Sequence, residues 1–276
     1  MILGHPDFSV SPAGLHPSGQ SLFVHFSNGK ILLNKNELPL WKAVQPSLPQ
    51  NFLPFELAHA GKTAIFSAHP YTELIIPEKD GLRYQSVDIF RSMPLEQASL
   101  IASCLHLWRW YENNRFCGRC ASPLMPDPSE RALRCTACGN LLFPAIAPAV
   151  IVAITCGDRI LLAKNHRHQH YALIAGYVEV GETLEHALRR EVMEEVGLEI
   201  HDIRYLGDQP WGISGSQMFA FHAKADDTKP IRIQASELKD ARWFCREDVE
   251  PLPHKVSIAY ELIERFRDGT LEEERE

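Results

Sequence analysis

Apolar positions in the first 93 residues fall in short runs separated by Gly, Pro and Asn: Ser21–Phe26, Lys30–Leu33, Thr63–Ser67 and Thr72–Ile76. Runs of that length bounded by turn formers predict β-strands. From Pro94 the period changes: Leu95, Ala98, Ile101, Ala102, Leu105 and Trp108 recur at steps of three and four, which predicts a helix packed through one face. Beyond a cysteine-rich insert the two periods alternate. Val150–Ile154 and Ile160–Ala163 flank Cys156-Gly157-Asp158 as strand, turn and strand. Thr183 to Val196 reads as a helix, capped by Thr183, striped by Leu184, Leu188, Val192 and Val196, and ended by Gly197. Strands follow at Ile203–Leu206, Met218–Ala223 and Ala241–Phe244, and a helix from about Ser257 to Arg267 precedes the acidic tail Glu272–Glu276. The expected organisation is a β-rich domain (1–93), a helix with the cysteine insert (94–144) and an α/β domain (145–276).

Composition narrows the classes of function. With 276 residues, 45% hydrophobic and 23% charged, the chain suits a soluble protein of two domains or so. A formal charge of -7 argues against a broad nucleic-acid surface, yet leaves room for a small anion held through cations. The start lacks a basic segment followed by an apolar stretch, and the longest apolar run, Ala145–Ile154, is short and interrupted by proline. A cytoplasmic protein without a membrane segment is therefore expected.

Four of the seven cysteines form two Cys-x-x-Cys knuckles, Cys117/Cys120 and Cys135/Cys138, separated by 14 residues. That spacing lets four thiolates surround one tetrahedral Zn²⁺, a closed site that supports folding and leaves no position for water. The competing reading is a pair of redox-active or incidental dithiols. Cys104, Cys156 and Cys245 read as small apolar residues.

Chemistry concentrates in the helix after Thr183. Glu191, Glu194 and Glu195 share an arc of about 100° at 3.6 residues per turn. Three like charges so close repel unless cations lie between them, and hard Mg²⁺ or Mn²⁺ is the natural partner. A solvated acidic face is the alternative. The surrounding segment, Gly176 to Leu198, satisfies Gly-x5-Glu-x7-Arg-Glu-apolar-x-Glu-Glu-x-Gly-apolar at all nine fixed positions.

That segment resembles the Nudix box. The resemblance implies an α/β (α+β) fold, a Nudix α/β/α sandwich with a mixed sheet, preceded here by the β-rich region and a zinc ribbon. It also implies that Glu191, Glu194 and Glu195 are catalytic and ligate divalent cations. Gly176 then allows a close approach, Glu182 and Arg190 form a structural ion pair, and Gly197 closes the helix. The activity implied is metal-assisted pyrophosphate hydrolysis.

A four-Cys ribbon directly before a Nudix domain is similar to the NADH pyrophosphatase family. The resemblance begins near Arg83 and includes the join Phe143-Pro144 and the loop Ala175-Gly176-Tyr177. It implies cleavage of NADH or NAD⁺ to nicotinamide mononucleotide and AMP, removal of NAD from the 5′ end of capped RNA, and a homodimer. By it, Ala175 offers a backbone carbonyl to metal and Glu237 a carboxylate. Phe143, Tyr177 and Ala259 line the nucleotide pocket, with Arg83 and Glu130 as further substrate contacts. Read by themselves, Phe143 and Tyr177 suit core positions as well, and Glu237 a plain surface site.

The family's Ser-Gln-Pro-Trp-Pro-Phe-Pro-x-Ser stretch corresponds to Asp208-Gln209-Pro210-Trp211-Gly212-Ile213-Ser214-Gly215-Ser216. Gln209, Pro210, Trp211 and Ser216 match, whereas Gly212, Ile213 and Ser214 replace proline, phenylalanine and proline. These changes are expected to loosen the loop and remove an aromatic surface, so ADP-ribose or a dinucleoside polyphosphate stays open as substrate. A non-catalytic nucleotide-sensing module is a further alternative, disfavoured by the intact carboxylates. His166, His168 and His170 read as a polar loop or as phosphate-facing groups.

Overall fold

The computed structural model describes residues 8, 9, 16–50, 52, 54–68, 74–166, 170–252 and 255–273. Two compact units emerge: one holds the described residues through Ala145 together with Gly212–Gly215, the other Ile146–Trp211 and Ser216 onward.

In the first unit, strands β1 (Phe8–Ser9), β2 (Leu22–Phe23), β5 (Pro54–Ala60) and β6 (Thr63–Ala68) form a sheet of order β1-β5-β6-β2. A second sheet has the order β3-β4-β7, from Phe26–Ser27, Lys30–Asn34 and Leu82–Ser86. Asn28 and Gly29, both at positive φ (50° and 71°), turn the β3–β4 hairpin, the conformation a two-residue hairpin turn requires. The expected strand Ser21–Phe26 is divided between the two sheets, since Val24 and His25 carry the chain from one to the other. It reads as one run because Phe23, Val24 and the intervening His25 are buried throughout and Phe26 nearly so. Leu74–Ile76 is not a strand, and residues 71–73 lie outside the described ones. Ile76 is apolar because it fills the core with Phe23, Leu32, Trp41, Val44, Phe66 and Leu82. A short helix, α1 (Trp41–Val44), contributes two of these.

The helix expected after Pro94 is α2 (Leu95–Asn113), with Pro94 at its N-cap. The cysteine insert follows as a three-stranded antiparallel sheet of order β10-β9-β8, from Leu141–Leu142, Leu133–Cys135 and Leu124–Pro126. Asp127 organises it: Oδ1 accepts from the Ser129 N–H and hydroxyl (2.9 and 2.8 Å) and the Glu130 N–H (3.0 Å). Arg134 Nε donates to Oδ2 at 2.6 Å. The Ser129 bonds, with Arg134 and Glu130, hold the Asp127 carboxyl far below the usual carboxylate range.

In the second unit, β11 (Ala147–Cys156), β12 (Arg159–Asn165), β14 (His201–Trp211), β15 (Ser216–Lys224) and β16 (Leu238–Cys245) form a sheet of order β14-β15-β11-β12-β16. Strand β13 (Ile174–Tyr177) pairs with β11. Because β11 and β15 run parallel and the other pairs antiparallel, the sheet is mixed. Alternate residues face opposite ways, so Val150, Val152 and Ile154 pack toward α3 (Leu184–Val196) while Ile151 and Ala153 pack toward α4 (Ile258–Arg267). The result is the α/β/α sandwich. Both helices are capped as their sequences require: Thr183 Oγ1 accepts from the His186 N–H and Ser257 Oγ from the Tyr260 N–H, each at 3.2 Å. Gly197 ends α3 at φ 69°. Among the described residues no helix is long and apolar enough to cross a membrane.

Candidate active site

Helix α3 presents its acidic residues unequally. Glu195 is buried with its side toward the core, Glu191 is partly covered, and Glu194 is exposed. Burial, then the charges of Glu191, Glu237 and Glu194, push the Glu195 carboxyl up to about 7. Burial is also the main cause that raises Glu191, with Glu194 and Glu237 adding to it. Four carboxylates therefore share one electrostatic neighbourhood, although they come from two separate segments.

Glu237 reaches this neighbourhood through backbone hydrogen bonds. The Gln234 N–H donates to the Glu195 carbonyl at 2.9 Å, and the Glu237 N–H to the Gln234 carbonyl at 2.9 Å. The segment before β16 is thus fastened to the C-terminal turn of α3.

Arg190 ties the box together. Its Nε and Nη2 donate to the two carboxylate oxygens of Glu182 at 2.7 and 2.9 Å, a forked pair. Nη1 reaches Glu191 at 2.8 Å and Glu194 at 3.1 Å, and Nη2 also donates to the Tyr177 carbonyl at 2.9 Å. Arg190 foremost, and then the Glu179 N–H, bring Glu182 down to about 2. The box pattern pairs Arg190 with Glu182 alone; the four-residue step to Glu194 was the available signal for more.

Gly176 on β13 passes directly over Glu191, where a β-carbon would overlap the carboxylate. The preceding Ala175 is exposed, and Tyr177 is 51% exposed and therefore not a core residue. Ser216 is buried, with its hydroxyl 3.5 Å from the Tyr177 hydroxyl. Gln209 is also buried, and its amide is engaged at the entry to α4: Nε2 donates to the Val256 carbonyl at 3.1 Å and Oε1 accepts from the Ile258 N–H at 2.7 Å. Ala259 lies one residue further, half-buried against the α4 core, while Pro210 is exposed and Trp211 half-buried.

The tip of the β14–β15 hairpin is held, not loosened. Gly212 is buried against the Ala102 carbonyl of α2 so closely that no β-carbon fits, and Arg109 donates to the Ile213 carbonyl. Ser214 is exposed, and Gly215, at φ 74°, lies beside the His106 ring. In the first unit Arg83 is exposed on β7 with Nη1 donating to the Leu82 carbonyl at 2.6 Å. Glu130 is exposed in the turn that Asp127 organises, and Phe143 is 53% exposed.

The four sulfurs of Cys117, Cys120, Cys135 and Cys138 lie within 4.8 Å of one another, the one such group among the described residues. Cys117 and Cys138 are 3.8 Å apart, and Cys120 and Cys135 3.4 Å. Tetrahedral zinc with bonds of about 2.3 Å would set its sulfurs roughly 3.8 Å apart, so the donor set fits that ion. The N–H groups of Arg119 and Cys120 point at Cys117 and favour its thiolate, and the Ser122 N–H and hydroxyl bring Cys120 down to about 6. No disulfide joins them.

A zinc-ribbon model described as "NADH pyrophosphatase zinc ribbon domain" matches residues 112–143, and the NUDIX domain model matches residues 145–266. The NAD-capped RNA hydrolase NudC of Haemophilus influenzae (strain PittGG) is 34% identical over 249 residues, which span 84% of this chain and 94% of that protein. The protein of the same name from Stutzerimonas stutzeri (strain A1501) is 38% identical over 198 residues, 70% of this chain and 71% of that one. A crystal structure of a NUDIX hydrolase from Nitrosomonas europaea aligns with a TM-score of 0.49 at 19% identity, covering 56% of this chain and 90% of that one. With ribbon and box in this order and a relative matched over nearly its whole length, the chain belongs to the NADH pyrophosphatase family of Nudix hydrolases.

Proposed function

We propose that this enzyme hydrolyses the pyrophosphate bond of NADH and NAD⁺, giving nicotinamide mononucleotide (reduced, from NADH) and AMP, and cleaves the same bond in the NAD cap of RNA, releasing nicotinamide mononucleotide and leaving a 5′-monophosphate. The observation that carries this reading is the pairing of an intact acidic box with a four-sulfur ribbon, in a chain of which 84% aligns with an NAD-capped RNA hydrolase.

Glu191, Glu194, Glu195 and Glu237, with the Ala175 carbonyl, would hold Mg²⁺ or Mn²⁺. The raised carboxyls of Glu191 and Glu195 fit that role, since anions held together against repulsion and burial are relieved by cations. Such cations supply charge neutralisation on the pyrophosphate and make the attacking water more acidic. Arg190 links Glu182 to Glu191 and Glu194 and fixes the loop through the Tyr177 carbonyl. Tyr177 and Phe143, both exposed rings, suit stacking on nicotinamide or adenine, as every base has a π-face. Cys117, Cys120, Cys135 and Cys138 hold one structural zinc. We further read the protein as cytoplasmic, on its two reduced Cys-x-x-Cys pairs, and as a homodimer, on the family resemblance.

Product analysis by mass spectrometry tests the substrate. Purified protein with added Mn²⁺ is given NADH, NAD⁺, NAD-capped RNA and ADP-ribose separately. Nicotinamide mononucleotide from NAD⁺ and NAD-capped RNA, and its reduced form from NADH, are expected; turnover of ADP-ribose with NADH untouched overturns the assignment.

A further inference from the structure

His166, at the end of β12, plays no part in the box, yet it holds the segment that carries Glu237. Its Nε2 lies 3.0 Å from the Ala235 carbonyl oxygen. A carbonyl only accepts, so Nε2 carries the proton. The His166 backbone N–H donates to the Glu237 carbonyl at 3.2 Å. One residue therefore ties both ends of Ala235-Ser236-Glu237. The other bonds of this segment are backbone bonds: Gln234 to the Glu195 carbonyl, and the N–H groups of Glu237 and Leu238 to the Gln234 carbonyl at 2.9 and 3.0 Å.

We infer that His166 is a positioning residue whose ring fixes the Ala235–Glu237 segment and so aims Glu237 at the Glu195 neighbourhood. The inference rests on reading Glu237 as a ligand of the catalytic cation. Glu237 is exposed on a loop, and a carboxylate left to wander there must be ordered each time a cation binds. The His166 ring removes part of that cost beforehand, as partners behind a ligand do elsewhere. His166 touches neither substrate nor cation in this role, and its effect is on metal affinity before turnover.

The test is a titration of Mn²⁺ into the full-length, zinc-containing protein, with free Mn²⁺ read by electron paramagnetic resonance and no substrate present. The amide nitrogen of glutamine ends as many bonds from Cα as Nε2 of histidine, whereas that of asparagine stops one bond short. His166→Ala, His166→Asn and Glu237→Gln are each expected to weaken Mn²⁺ binding about tenfold, the lower end for partners behind a ligand. His166→Gln is expected to keep wild-type affinity, and kcat of His166→Ala at saturating Mn²⁺ to fall less than its affinity. Wild-type binding by His166→Ala beside weakened binding by Glu237→Gln overturns the inference while leaving the role of Glu237 intact. Equal weakening in His166→Gln and His166→Ala also overturns it, since the hydrogen bond is then not the cause. Unchanged binding by Glu237→Gln overturns the ligand reading beneath it, and the inference with it.

Discussion

The backbone of Gly176 and the carboxylate of Glu191 are packed so closely that a β-carbon on residue 176 would overlap the carboxylate carbon and both its oxygens. Strand β13 thereby runs hard against Glu191 of α3, an approach that no residue with a side chain at 176 permits. Gly176→Ala is expected to displace Glu191 and lower metal-dependent kcat/KM by about 10- to 100-fold, the range for disturbed support of metal ligands. Wild-type kcat/KM with Mn²⁺ in that variant would falsify the steric argument.

Arg190 answers three carboxylates and one carbonyl, and its forked geometry with Glu182 cannot be copied by an ammonium group. Arg190→Lys keeps the charge but loses the fork, and Glu191 and Glu194 lose their shared donor. A drop in kcat of more than about tenfold is expected on the scale of other ligand-orienting groups, with Arg190→Lys barely better than Arg190→Ala. Near-complete activity in the lysine variant would show that charge alone suffices.

The ring of His25 is buried among Phe23, Tyr84 and Trp108, with Nε2 2.8 Å from the Leu74 carbonyl. Burial depresses its pKa to about 4, against the partial opposition of that hydrogen bond. Below pH 6.5 the unfolded chain takes a proton at His25 that the fold refuses until about pH 4. Stability present at neutral pH is therefore lost as pH falls through this window, by roughly 3 kcal/mol at 1.36 kcal/mol per pH unit. Urea unfolding at pH 7 and pH 5 reads the part of this loss above pH 5, about 2 kcal/mol, which should shrink in His25→Gln; an unchanged difference removes His25 as its source.

Gly212 replaces a proline of the family stretch, and its close approach to the Ala102 carbonyl explains why. Gly212→Pro, which restores the family residue, is expected to destabilise the protein by about 1 to 3 kcal/mol through overpacking, and Gly212→Ala by a similar amount. Thermal unfolding decides this. Both variants melting at the wild-type temperature would mean the hairpin tip can move off α2.

Metal analysis of the purified chain should give one zinc per chain. Cys120→Ser, which removes one of four mutually facing sulfurs, should lower that content and expose the ribbon to proteolysis. Full zinc content after the substitution would exclude closed four-thiolate coordination.

Local chemistry was legible from the chain alone. Helix α3 was bounded by Thr183 and Gly197 as expected, because a cap and a left-handed terminator act within one turn. The two Cys-x-x-Cys pairs announced one site because each knuckle is a local turn and only their mutual approach depends on the fold. The β-rich part was read less well. Ser21–Phe26 proved to be two strands in different sheets, and strand β5 (Pro54–Ala60) was not anticipated. Burial by distant segments decides such cases, and periodicity does not record it.

Which groups the site has could be read along the chain: the nine positions of the box, the four sulfurs, and a stretch whose departures from the family are plain. What those groups do to one another emerged with the packing. Arg190 reaching Glu191 and Glu194, His166 holding Glu237, and Gly212 seated on Ala102 all depend on atoms brought together across turns, strands or most of the chain. Charge and excluded volume act over a few ångströms of space, and the linear order of residues leaves those distances open until the sheet and its helices are packed.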